Sequence, residues 1–368
     1  MQNLFIAAIL MLGFLITFQI AKASEYVAVL RGEEKSRKQT NKINGFMLLA
    51  FLILGLIGVY YCNTRLEGKM LAFGSSASDH GLLVDKMMKY TLWITGFVFI
   101  ITQVLLFWYA FKYQESDKRK AYYLVHNNQL ELIWTVIPAI ALSVLVGFGL
   151  FYWYKITGDA PKNAMLVEVT GKQFGWEFRY PGSDGILGKK YFKKIDAANN
   201  NPAGQIWEDP ANYDDVFVEQ EMHLVVNKPV KLIIGSKDVI HDVGLAHFRM
   251  KMDAVPGTPT TMWFTPLFTT KQMQEKNGPQ FVYELSCDQM CGKGHTGMRG
   301  TIIVESQEEF DGWMASKKPQ YYTAFPWNDP AMLKKDTVKQ ATNTSVTATG
   351  TQLKARQTES SVQAKSQN

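Results

Sequence analysis

Four stretches of this chain are too long and too apolar to be ordinary core helices: Leu4–Ala23, Gly45–Cys62, Leu92–Phe111 and Leu132–Tyr154. Each is close to the ~20 residues that a helix needs to cross the hydrocarbon of a bilayer. In hydrocarbon, only a helix or a closed barrel satisfies its own backbone. The first 154 positions are therefore expected to form a membrane α-helical anchor of four transmembrane helices. Trp93, Trp108, Trp134 and Trp153 stand toward the ends of the third and fourth stretches, as an aromatic belt would. Pro138 falls in the first turns of the fourth, where a missing N–H costs least.

The first stretch ends in Ala21-Lys22-Ala23, which looks like a small-residue cleavage site, but Met1-Gln2-Asn3 lacks the positive charge of a signal peptide. Retained, it gives four crossings with both termini outside. The loop 22–44, with Lys22, Arg31, Lys35, Arg37, Lys38 and Lys42, then faces the cytoplasm. So does the loop 112–130, with Lys112, Lys118, Arg119 and Lys120. The outer loop 63–91 also carries Arg65, Lys69, Lys86 and Lys89, so charge bias alone decides little. The net charge of +6 is scattered rather than gathered into a stripe. Lipid at an anionic membrane surface accounts for it, and nucleic acid is not an expected partner.

From about Ala164 the period changes from helix to strand. Ala164–Thr170, Phe174–Tyr180, Glu221–Val226, Val230–Gly235, Phe281–Ser286 and Gly300–Ser306 are rich in Val, Ile, Phe and Tyr, and turn signals such as Asn227-Lys228-Pro229 and Pro256-Gly257 separate them. Short strands without intervening helices predict an antiparallel sandwich or barrel. The stretch 181–214, with Gly182, Gly185, Gly188, Pro202 and Pro210, reads as a surface insertion. Beyond about Asp336 the chain is Thr/Ser/Gln/Ala/Lys-rich without aromatics, the composition of a disordered tail.

Three cysteines exclude a disulfide scaffold. Cys62 closes an apolar run and is expected to be a buried spectator. Cys287 and Cys291 lie in the run Ser286-Cys-Asp-Gln-Met-Cys-Gly-Lys-Gly-His-Thr-Gly-Met298, which offers two thiolates, an imidazole and a thioether. Soft sulfur with imidazole suits copper or zinc. Structural zinc usually takes a second cysteine pair, and the chain has none. A c-type haem needs C-x-x-C-H, which Cys291-Gly-Lys-Gly-His295 is not. The bland alternative is a loop disulfide beside an incidental His295. A second imidazole must come from His223, His241 or His247. His223 lies inside a predicted strand and reads as structural. His241 is expected to close a strand, and spacing leaves it level with His247.

These residues together make the chain resemble subunit II of cytochrome c oxidase, the family that carries the binuclear copper centre CuA. The resemblance covers roughly Leu92 to Ser306. It rests on Glu131-Leu-Ile-Trp-Thr-Val-Ile-Pro-Ala-Ile140, Gln173-Phe-Gly-Trp-Glu-Phe-Arg-Tyr180, Ser236-Lys-Asp-Val-Ile-His241, Lys251-Met-Asp-Ala-Val-Pro-Gly257 and the cysteine run. It implies a cupredoxin-like Greek-key sandwich (all-β) on an outer, periplasmic face of a bacterial inner membrane. By the resemblance, Cys287 and Cys291 are bridging thiolates for two copper ions, His241 and His295 their imidazoles, and Met298 and the backbone carbonyl of Gln289 their weak ligands. Many family members have Glu where this chain has Gln289, and that carboxylate helps to hold magnesium; the magnesium site at the subunit interface is thereby left open.

The implied role is the electron-entry subunit of a respiratory oxidase. Electrons come from a cytochrome c-type donor and pass to haem in catalytic subunit I, where oxygen is reduced and protons are translocated. The copper-free quinol-oxidase type of subunit II is disfavoured by the complete ligand set. A structural membrane protein with a disulfide or zinc loop is the rival of another class. Glu131, at the start of a membrane helix, suits the helix dipole, and the family reading makes it the cytoplasmic entrance of a proton pathway. For electron entry, Phe174 stands where relatives that use soluble cytochrome c usually carry Trp. Trp176, two residues on, is expected on the same face of a strand. Lys237 stands where many relatives have an acid. Both departures suggest a donor held in the same assembly. The implied domains are an extra helical pair (1–63), the family's transmembrane hairpin (64–158), the CuA domain (159–325) and the tail (326–368).

Overall fold

A computed structural model of the chain describes residues 2–66, 71, 74–116 and 118–330. The expected disordered tail from Asp336 onward lies outside the described residues. Two compact units divide the chain: one of Met1–Gly74 with Asp85–Phe151, the other of Ser75–Val84 with the segment from Tyr152.

The first unit is built from long helices: α1 (Gln2–Arg31), α2 (Glu33–Leu66), most of α3 (Asp79–Lys112) and most of α4 (Asn128–Thr157). All four are long and apolar enough to cross a membrane. The expected loop 22–44 is instead helical apart from a break at Gly32, whose φ of +85° is the left-handed cap that glycine adopts at least cost. Glu33 and Glu34 begin α2 where its dipole favours acids. Against α3, Gly45 of α2 lies so close that an added Cβ would stand 3.2 Å from the Phe111 ring. Phe46 meets Phe111 edge-on, and Arg37 pairs with Glu115 at 2.8 Å. The Cys62 side chain is exposed on α2 rather than buried, because among the described residues no element packs on it.

The second unit is a two-layer sandwich. One sheet has the order β3 (Val216–Glu219), β2 (Gly175–Tyr180), β1 (Met165–Lys172), β5 (Val230–Ser236), β8 (Thr260–Phe264). The other has β4 (Glu221–Val225), β10 (Arg299–Glu305), β9 (Tyr283–Cys287), β6 (His241–Leu245), β7 (Met250–Ala254). All six expected strands are present. Pairing is not purely antiparallel, since β1 runs parallel to β5 and β4 parallel to β10. In each case the chain leaves the sheet and returns by a long crossover, which is what a parallel pair requires. The strands without a clear sequence signal are β3, β6, β7 and β8. β6 is buried on both faces and carries His241, Asp242 and Gly244, so it shows no apolar alternation.

Trp176, Phe178, Val167, Val169, Leu232 and Ile234 of the first sheet close on Met222, Leu224, Leu245, Leu285 and Ile302 of the second to form the core. Two further segments join this unit. Residues 75–84 are sewn to it by Ala77 N donating to His247 O, Leu267 N donating to Ala77 O (both 2.8 Å) and Ser78 Oγ donating to Phe248 O (2.6 Å). The insertion 181–214 is not merely superficial. Buried Arg179 binds Glu168 and Asp215, both at 2.7 Å, and donates to Gly188 O and Asn212 Oδ1, pinning the insertion to β1 and β2.

Candidate metal centre

Two strand ends and one loop build the site. β9 ends at Cys287 and β10 begins at Arg299, so Cys291, His295 and Met298 all ride on the connection between two neighbouring strands. β6 lies on the other side of β9, with Val243 opposite Cys287, and carries His241 across to the cysteines. His241 opens β6 rather than closing a strand, because β5 stops at Ser236 and the next residues turn around Asp238.

The donor atoms form a continuous chain. His241 Nδ1 lies 3.7 Å from Cys287 Sγ, Cys287 Sγ 3.8 Å from Cys291 Sγ, and Cys291 Sγ 3.7 Å from His295 Nδ1. Met298 Sδ is 3.8 Å from Cys291 Sγ, and the Cys287 thiol donates to the Gln289 carbonyl at 3.2 Å. His241, Cys287 and Cys291 are all buried and present their donor atoms within 4.8 Å of one another. The six residues singled out from sequence thus come together. The two cysteine sulfurs stand apart as free thiols, an arrangement that does not favour the loop-disulfide alternative. Burial raises the Cys291 thiol pKa, and Cys287 beside it raises it further.

Of the imidazoles that spacing left open, packing puts His241 beside the sulfurs. His247 sits in a single turn, with its ring against Phe281 and Tyr283, away from the sulfurs. His223 is structural: its ring nitrogens face Glu305 and Glu221 at 2.7 and 2.6 Å, and it stacks on Trp313.

Three supporting residues carried no role in the sequence reading. Asp238 accepts from His241 Nε2 at 2.8 Å. Burial pushes this carboxyl up, but hydrogen bonds from Gln173 N, His241 and Val239 N outweigh it, so it stays below the ordinary range. An ionised acceptor there fixes the proton on Nε2 and leaves Nδ1 bare toward Cys287. Gln173 Nε2 donates to Cys291 O at 2.5 Å, from 118 positions away. Gly171 lies under the His241 ring, where an added Cβ would stand 2.9 Å from Cδ2. Asp238 had a local signal, three residues before the histidine; Gln173 and Gly171 had none.

Phe174 and Trp176 do not share a face. Phe174 precedes β2 in the turn after β1, outside the strand alternation, and is 42% exposed. Its ring covers Gly292 and Gly294 of the cysteine loop, where a Cβ on Gly294 would stand 2.4 Å from Phe174 Cγ. Trp176 is fully buried, with its ring centre 6.0 Å from that of His241. Lys237 is tied to buried Glu177, which also pairs with Lys172 at 2.9 Å. Glu131 stands in the first turn of α4, where Asn127 caps the helix by accepting from Leu130 N at 3.1 Å and donates its own N–H to Glu131 at 3.4 Å.

Comparison with known proteins bears on this geometry. The family description of the cytochrome c oxidase subunit II transmembrane domain matches residues 67–151, and that of its periplasmic domain matches residues 165–307. The alternative cytochrome c oxidase subunit 2 of Bradyrhizobium diazoefficiens is 34% identical over 236 residues, covering 64% of this chain and 80% of that one. The chain belongs to the cytochrome c oxidase subunit II family. Cytochrome c oxidase subunit 2 of Cereibacter sphaeroides is 25% identical over 245 residues, covering 62% of this chain and 77% of that one. The probable cytochrome c oxidase subunit 2 of Rickettsia bellii is 28% identical over 234 residues, covering 64% and 79%.

Membership makes the chain a membrane-anchored subunit of a cytochrome c oxidase complex, with an external sandwich of cupredoxin type and catalytic subunit I as partner. It implies copper, and the donor set fits that ion: buried thiols, imidazole nitrogen and thioether are soft ligands. α1 and α2 both lie wholly before the matched residues.

Proposed function

We propose that the sandwich is the electron-entry point of a respiratory haem–copper oxidase in a bacterial cytoplasmic membrane, with this unit on the periplasmic side. On this reading two copper ions would be held by the thiolates of Cys287 and Cys291, the imidazoles of His241 and His295, and, more weakly, Met298 Sδ and the Gln289 carbonyl. The observation that carries it is the unbroken chain of six donors, symmetric about the two sulfurs, with one imidazole at each end. Bound there, copper would supply one-electron chemistry, which suits a subunit set between a cytochrome c-type donor and haem in subunit I. The chain's own residues keep the site rigid and dry. Asp238 holds the His241 ring, Gln173 holds the Cys291 carbonyl, and Trp176 backs His241 from the core. A fixed shell of this kind keeps reorganisation small, which suits electron transfer rather than substrate turnover.

Phe174, exposed over the cysteine loop, is the proposed point of electron entry, with Trp176 behind it. Two acids beside Phe174 are engaged internally: Glu177 by Lys237 and Lys172, Asp238 by His241 and Gln173. They are therefore poorly placed to steer a basic donor by charge, which supports a donor held in the same assembly. A soluble basic cytochrome c should then be oxidised slowly at low salt; a fast rate that falls steeply with salt would contradict this.

Copper analysis with electron paramagnetic resonance tests the central reading. Two copper ions per chain and a spectrum of one electron shared over both nuclei are expected, and Cys291→Ser should abolish it. One copper with a blue-site spectrum, or zinc held in preference, would sink the assignment.

A further inference from the structure

The helix that precedes the family match takes part in a cavity that electron transfer does not use. It is a pocket of about 500 Å3 lined by Lys38 and Lys42 of α2, by Phe111 and Lys112 at the end of α3, and by Glu115 and Arg119 just beyond. Its place along the helices is defined by their own composition. α2 becomes apolar immediately after Lys42, and α3 stays apolar up to Phe111. The pocket thus has an apolar floor and a basic rim, the profile of the headgroup layer of a bilayer.

The charges do not balance. Glu115 is taken by Arg37 at 2.8 Å and by Asn41 at 3.3 Å, and Glu34 by Lys38 at 2.7 Å. Among the described residues no carboxylate pairs with Lys42, Lys112 or Arg119; the last two lie over the Tyr113 ring at 5.5 and 5.7 Å. Three cations facing one cavity call for an anion. α3 leaves the external unit and crosses once, so its end at Lys112 belongs to the inner face, where the leaflet presents phosphate. Below the rim, Phe46 and Phe51 of α2 stay largely exposed, at 63% and 67%, and offer an apolar wall to an acyl chain.

We propose that this pocket binds the phosphate headgroup of an anionic phospholipid from the inner leaflet, its acyl chains lying along α2 and α3. The apolar wall favours a lipid over free phosphate, which shares the headgroup's chemistry but has nothing to bury. The site is independent of the copper assignment.

The test uses the purified, delipidated oxidase complex in neutral detergent, titrated with phosphatidylglycerol and read by native mass spectrometry as lipid occupancy. One saturable site is expected. Lys42→Gln with Lys112→Gln should weaken it about 30-fold, since each basic residue near a headgroup is worth about fivefold. Lys42→Arg with Lys112→Arg should keep it. Should the double glutamine variant fail to assemble, Arg119→Gln, beyond the end of α3, should alone cost about fivefold. Equal occupancy in wild type and charge-removed variants would overturn the proposal. So would displacement of the lipid by millimolar inorganic phosphate, which would make this a free-anion site, or equal binding of phosphatidylcholine.

Discussion

Asp238→Asn is the sharpest probe of how the protein, rather than the metal, sets up this centre. The Asp238 carboxylate accepts from His241 Nε2 at 2.8 Å and from Gln173 N and Val239 N, each at 2.7 Å. Asn has nearly the same shape but only one oxygen: at the Oδ1 position it still accepts from Val239 N and His241 Nε2, while its NH2 no longer accepts from Gln173 N, so the turn keeps one of its two backbone bonds to this side chain. What disappears is the negative charge facing the imidazole N–H. A hydrogen bond to a charged group contributes about 1.5–3 kcal/mol against about 1 for a neutral one, a loss of roughly 0.5–2 kcal/mol. Outer partners of metal-bound histidines typically control affinity by 10–100-fold, or about 1.4–2.7 kcal/mol. The two ranges overlap at about tenfold. Chelator competition against the copper-loaded protein should therefore show copper held about tenfold less tightly, with the number of copper ions unchanged at saturation. The folded carboxyl titrates below its ordinary range, so its contribution is complete above the unfolded value and is lost only as pH falls through the folded one. The difference should accordingly be flat between about pH 6 and 8. Ser236→Ala serves as control for the turn itself: Ser236 Oγ donates to Val239 O and, at 3.5 Å, to Asp238 Oδ1, and accepts from Asp238 N, but its removal leaves the carboxylate charge facing the imidazole. Equal copper affinity in wild type and Asp238→Asn, or an equal loss in Ser236→Ala, would refute the idea that Asp238 acts through His241.

Other substitutions test other parts of the same account. Gly294→Ala drives a methyl into Phe174 and should cost about 1–3 kcal/mol in the thermal midpoint with copper stoichiometry intact; adding Phe174→Ala should restore the midpoint. Arg179→Met leaves Asp215 buried without its cation and Glu168 with Lys190 alone, and should destabilise the sandwich by about 3–5 kcal/mol in a denaturant titration. Glu131→Gln should slow oxygen reduction without changing copper loading if the carboxylate feeds protons to the catalytic subunit. Unaltered turnover over a broad pH range would leave Glu131 as part of the Asn127 helix start.

What the sequence determined by itself was local. Four apolar stretches of membrane length define four helices whatever surrounds them, because hydrocarbon leaves the backbone no other partner. Cys287, Cys291, His295 and Met298 are legible for a similar reason: a short connection between adjacent strands holds its own residues together, so their spacing already describes a site. Tertiary structure decided everything that arrives from a distance. Spacing alone does not separate His241 from His247, which only the family motif around Ser236–His241 did; the β6–β9 pairing shows why, turning one ring to the sulfurs and the other to Phe281. Strand alternation placed Trp176 beside Phe174 at the surface, but the turn at Gln173 ends the alternation, and the sandwich buries Trp176 beneath His241. Gln173 reaches Cys291, and Arg179 reaches Asp215, only because β1, β2 and the cysteine loop meet in space. Local chemistry can be read along the chain, while the shell that orients it comes from pairings whose partners lie tens of residues apart.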